Sequence, residues 1–123
     1  MKRDMDLLRT LLLEIEGLPH VGDWFFDIQG YSSEAVYYHV LLAMDAGLVD
    51  AESIPKDKWG HGFRVKRLTY EGHEFLEAAR NETLWNKAKD AVQSSTGSLT
   101  LEALKVALDV LMHEGIRAAL SPR

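Results

Sequence analysis

Cysteine is absent from the 123 residues. That excludes disulfides, thiolate metal sites and cysteine nucleophiles, and it fits a reducing compartment. No apolar run approaches the roughly 18 residues that a membrane span requires. The opening run Met1-Lys2-Arg3-Asp4-Met5-Asp6 turns acidic at once, so neither a signal peptide nor a membrane location is expected, and the expected compartment is the cytoplasm. Catalytic signatures are missing as well: there is no Gly-x-Ser-x-Gly elbow, no Gly-rich phosphate loop and no Cys/His ligand spacing. Of the histidines (His20, His39, His61, His73 and His113), His73 with Glu74 comes nearest a zinc-protease pattern, but it lacks a second histidine four residues on. The chain is therefore expected to be a non-enzyme with no catalytic residues, no metal and no cofactor.

What is present is charge, unevenly spread. The formal net charge is −5, which leans against a general nucleic-acid binder. Residues 1–55 carry a net of −7, residues 56–67 a net of +4, and residues 68–123 a net of −2. The positive charge is concentrated in Lys56, Lys58, Arg64, Lys66 and Arg67, interleaved with Trp59 and His61. Such a stretch reads either as a solvated hairpin or as a basic finger that meets phosphate or an acidic surface.

The length suits one compact unit. Apolar spacing predicts a helix over 4–16, capped by Asp4 and ended by Gly17 and Pro19. The aromatic run 21–28 predicts a short strand. Ser32 caps a second helix over about 33–46, stopped by Gly47. A strand starting at Leu48-Val49, a loop over 55–62 and a returning strand over 63–68 form a β-hairpin. Thr69 caps a helix over about 70–92, Gln93 to Gly97 links it onward, and a last helix runs over roughly 99–119. That helix places Leu101, Leu104, Leu108, Leu111 and Met112 on one face and Ala103, Val106, Ala107 and Val110 on its flank. The expected fold is α+β, mainly α. Residues 1–92 would form the core, and residues 93–123 a helical extension whose leucine face is a candidate homodimer interface.

The segment from Tyr31 to Val49 resembles the helix-to-wing passage of bacterial winged helix-turn-helix regulators, with Val36, His39, Val40, Met44, Gly47, Leu48 and Val49 at the matching positions. The run Arg67-Leu68-Thr69-Tyr70-Glu71-Gly72-His73-Glu74-Phe75-Leu76 resembles their wing exit. Taken whole, the chain resembles a family of small bacterial and phage proteins, a domain of unknown function, through residues 1–9, 30–49 and 68–87. The resemblance implies a winged-helix-like core (helix, short strand, helix, β-hairpin wing) with two C-terminal helices and a prokaryotic or prophage setting. The likeness to winged helices also implies a structural, hydrogen-bonded and half-buried role for His39. The family resemblance implies no activity. The full helix that normally precedes the recognition helix is missing or replaced by an extended segment, because residues 21–31 are too short and too aromatic for one.

The wing residues Lys56, Lys58, Trp59, His61, Arg64, Lys66 and Arg67 are candidates to clamp duplex DNA. The candidate recognition helix offers Ser32, Ser33, Tyr37 and Tyr38. It holds no Lys, Arg, Asn or Gln, and it carries Glu34 and Asp45, so base readout by the usual donors is missing. The first expectation is a DNA-binding, regulator-like protein working mainly through its wing. The alternative is a protein-binding effector, such as a phage-encoded inhibitor of host machinery, using an aromatic and acidic surface that includes Tyr37, Tyr38, Trp24, Phe25 and Phe26.

Overall fold

A computed structural model describes residues 1–25, 27–57 and 60–122, with the backbone alone described at 23–25, 55–57, 60 and 61. In chain order the elements are α1 (Met5–Glu16), β1 (Asp23–Phe25), α2 (Ser33–Asp45), β2 (Val49–Asp57), β3 (Gly60–Leu68), α3 (Tyr70–Ala79), α4 (Glu82–Thr96) and α5 (Leu101–Leu120). The fold is α+β and mainly α, and the expected order of helix, short strand, helix and hairpin is the order found. Contacts divide the chain into two compact units, Met1–Leu76 and Glu77–Arg123. That division falls earlier than the 92/93 boundary read from the sequence, because α4 packs with α5.

In the first unit, α1 begins where the Asp4 carboxylate accepts from the backbone N–H groups of Asp6 and Leu7 at 2.9 and 3.2 Å, satisfying two of the helix's orphan donors. Its inner face buries Met5, Leu7, Leu8, Leu11, Leu12 and Ile15. α2 starts in the same way, with Ser32 Oγ accepting from the Ala35 N–H at 3.1 Å. It ends in a Schellman turn. Gly47, at φ +73°, lets its own N–H reach the Met44 carbonyl and the Leu48 N–H reach that of Ala43.

The three strands form one antiparallel sheet in the order β1-β3-β2. Both α1 and α2 contact the sheet. Ala51, Phe63 and Val65 are buried, while Glu52, Arg64 and Lys66 are exposed, the alternation of a sheet covered on one side. The strands run to Asp57 and resume at Gly60, so the hairpin loop is shorter than the expected 55–62. Backbone pairing, which needs no particular side chain, carries the ladder into residues that read as loop.

The expected single helix over 70–92 is two helices. Asn81 breaks it by leaving helical geometry (φ −73°, ψ 116°) and capping α4 with a 3.1 Å bond from the Leu84 N–H. Three helices therefore follow the hairpin, not two. The linker also moves: α4 continues through Thr96, and Gly97, at φ +72°, ends it. In the second unit α4 packs with α5, and Trp85, Ala88, Val92, Leu104 and Leu108 are buried.

Candidate functional site

On the hairpin, the cross-strand register sets Arg64 opposite Glu52 and Arg67 opposite Asp50. Arg64 Nε donates to the Gly22 carbonyl at 3.4 Å. Lys66 Nζ lies 3.5 Å from Glu52, and Arg67 Nε 4.0 Å from Asp50, all four side chains roughly half-exposed. Acids from β2 thus interleave with the cations of β3, and this part of the hairpin is far less positive than residues 56–67 read alone. Lys58 and Trp59 lie outside the described residues, and the side chains of Lys56 and His61 are likewise outside them.

On α2, three of the four expected reading residues serve the fold. Ser32 caps the helix, and Ser33 Oγ donates to the Asp27 carboxylate at 2.6 Å. Tyr37 lies against Phe63 with ring centroids 4.8 Å apart. Tyr38 is half-buried, its ring edge-on to that of His39. The outward stripe of the helix, at spacings of four, three and four, is Glu34, Tyr38, Leu41 and Asp45. Both acids are exposed, and Tyr38 and Leu41 are half-buried. Exposed Asp27 and Tyr31 precede the same helix. Asp27 and Leu41 were not singled out from the sequence, although the helical period alone places Leu41 beside Tyr38 on this stripe. The side chains of Trp24 and Phe25, and the whole of Phe26, lie outside the described residues.

The runs that carried the resemblance turn out to be fold-building. The Thr69 hydroxyl donates to the Gly47 carbonyl at 2.5 Å, and its oxygen accepts from the Gly72 N–H at 3.0 Å. The Thr69 N–H bonds to the Leu48 carbonyl at 3.0 Å. A Cβ built on Gly72 would fall 2.0 Å from that same carbonyl oxygen, so only glycine lets α3 start there. His39 is hydrogen-bonded, as the resemblance implied, but it is fully rather than half buried, at 1% exposed.

On α5 the leucine face expected to meet a second copy is used inside the chain. Leu104 and Leu108 are fully buried, Leu101 and Leu111 are half-buried, and only Met112 is exposed. The flank also faces solvent, with Val106 56% and Val110 50% exposed, as do Ile116 at 54% and Leu120 at 78% toward the end of the helix. A groove of about 420 Å³ between α4 and α5 is lined by Val92, Ala103, Val106 and Ala107. Among the described residues no group of three or more His, Asp or Glu is placed to hold a metal ion. No described helix is long and apolar enough to cross a membrane.

These features define a small α+β protein with a three-stranded sheet and a helix-then-hairpin surface. The chain belongs to the hypothetical-protein family DUF2513, whose model matches residues 2–98. It is also 35% identical over 117 residues to an uncharacterized protein of Haemophilus influenzae, covering 93% of this chain and 98% of that relative. No solved structure matches it.

Proposed function

We propose that this protein is a winged-helix-like, protein-binding effector of a prokaryote or prophage, and that the outward stripe of α2 docks a basic protein surface. The observation that carries this reading is the stripe of Glu34, Tyr38, Leu41 and Asp45. It supplies an aromatic and an aliphatic anchor between two carboxylates, on the face that a DNA-reading helix would turn toward the groove. Asp27, bonded to Ser33 at the helix N-terminus, adds a carboxylate where a DNA phosphate would otherwise be welcome. Aromatic anchors flanked by charge suit recognition of Lys- and Arg-bearing protein. The winged-helix-like reading is supported by the β1-β3-β2 order and by a hairpin that follows a glycine-ended helix.

The exposed set Arg64, Lys66 and Arg67 on one strand favours a second reading, in which the hairpin contacts duplex DNA as a wing. Two experiments separate the readings. In the first, the full chain captures partners from bacterial lysate, and variants Tyr38→Ala and Glu34→Lys/Asp45→Lys are compared with it. The expected result is a basic partner whose affinity falls about tenfold or more in the variants, with unchanged melting temperature. In the second, duplex DNA is titrated at about 50 mM salt. A DNA complex that is lost in Arg64→Ala/Lys66→Ala, together with partner capture indifferent to the α2 changes, overturns the protein-binding reading in favour of the wing.

A further inference from the structure

The first unit contains a cleft of about 210 Å³ at the root of the hairpin, walled by the end of α1, residues 18–21, the end of β3 and the first turn of α3. Its shape follows from a register shift. Arg67 pairs with Asp50, but the next pair is Val65 with Ala51, so Lys66 is an extra residue in the β3 ladder. A regular strand would turn Arg67 inward after Lys66. The bulge instead leaves Lys66 and Arg67 both exposed and returns Leu68 to the interior, the re-aiming for which bulges are known.

Both cations line the cleft together with His20, His73 and the carboxylate of Glu16, and Glu52 and Asp50 of β2 flank the two cations. Behind them stand Ile15, Val65 and Leu68, all at most 5% exposed. A dry wall behind Lys66 and Arg67 strengthens the pull of these two cations on an anion in the cavity. The contacts of Lys66 and Arg67 with Glu52 and Asp50, at 3.5 and 4.0 Å and exposed to water, are too loose to hold the two cations away from an incoming anion.

We propose that this cleft binds the phosphate group of a small phosphorylated molecule. Lys66 and Arg67 supply the charge, the imidazole of His73 supplies a directional donor, and Leu18 and Pro19 meet the apolar part of the ligand. The volume is below the roughly 300–1,000 Å³ of drug-sized pockets, which suits a small ligand. A nucleic-acid strand fits less well, since Asp50 and Glu52 beside the cleft would face its neighbouring phosphates. The proposal is independent of the α2 surface, and its failure would leave that reading untouched.

The test is an NMR titration of the full chain with inorganic phosphate and then phenyl phosphate, with sodium chloride at matched ionic strength as control. Saturable shifts of the His20 and His73 ring signals are expected, with those of buried His39 unmoved, and phenyl phosphate should bind tighter than phosphate. Lys66→Gln/Arg67→Gln should weaken binding about tenfold or more. Lys66→Gln alone serves as a second variant should the double change disturb the fold. Shifts that match the chloride control, or an affinity unchanged in the variants, would overturn the proposal. So would a short DNA duplex that displaces phenyl phosphate at lower concentration than the ligand itself, because the phosphate recognised would then belong to a nucleic-acid backbone.

Discussion

The backbone N–H of Asp4 donates a 2.8 Å hydrogen bond to Nε2 of His39, tying the first turn of α1 to the middle of α2 across 35 positions of sequence. On the other side of the ring, Nδ1–H donates to the Ala35 carbonyl at 2.8 Å. A donor facing one nitrogen and an acceptor facing the other leave one neutral tautomer that satisfies both. The Asp4 N–H is among the groups a helix start leaves without an intrahelical partner, and a side chain from another helix supplies one.

Replacing His39 should therefore cost more than its volume suggests. His39→Ala opens a cavity and strands the Asp4 N–H, for an expected loss of about 2–4 kcal/mol in urea unfolding. His39→Leu refills the space while leaving the donor unpaired, and should still lose about 1–3 kcal/mol. A leucine variant as stable as the parent would show that the hydrogen bond contributes nothing net.

Two glycine-to-alanine changes should have opposite signs. At Gly72 the new Cβ would meet the Leu48 carbonyl at 2.0 Å, so α3 must shift, at a cost of about 1–3 kcal/mol or more. At Gly115, inside α5, nothing lies within 4 Å of the added Cβ, and the gain in helix propensity is about 0.5–1 kcal/mol. Thermal melts of the two variants check both signs, and a neutral Gly72→Ala would contradict the close approach.

On α5 the two apolar faces should separate cleanly by calorimetry. Leu108→Ala removes a fully buried side chain and should lose about 2–5 kcal/mol. Val110→Ala, half-exposed, should stay within about 0.5 kcal/mol. Equal losses at the two positions would mean that a partner covers the outer face in solution.

Tyr70 should titrate late. Its hydrogen bond to Glu74, then the charge of Glu74, partial desolvation and the charge of Glu71, raise the phenol above its ordinary value of 10.0. The folded state holds this proton more tightly than the unfolded chain does. The contribution is thus complete below pH 10 and disappears as pH climbs through the raised folded value. Tyrosinate absorbance in an alkaline titration should develop at lower pH in Glu74→Gln, and an identical curve would remove the assigned cause.

Much of the first unit was legible because helix starts and strand alternation are decided within a few residues. Asp4, Ser32 and Thr69 act as the caps their chemistry suggested, and Gly47 ends α2 at positive φ. Asn81 was missed because the apolar spacing of 70–92 continues across it, and periodicity cannot see a break that preserves phase. On the candidate surface, the cations of 64–67 were plain in the sequence. Their interleaving with Asp50 and Glu52 was not, since it depends on the register of a partner strand.

By itself, then, the sequence determined the α+β class, the order of the first elements, the caps and the absence of cations on α2, all of which rest on residue type and short-range spacing. Tertiary structure decided which face of α5 is buried, because both faces are apolar and only packing against α4 tells them apart. It also decided why position 72 must be glycine, since the carbonyl that crowds it belongs to Leu48 in another element. And it set Lys66 and Arg67 side by side, through a bulge that exists only in the pairing of two strands. Each of these is a long-range relation between chain segments, and local composition carries no record of it.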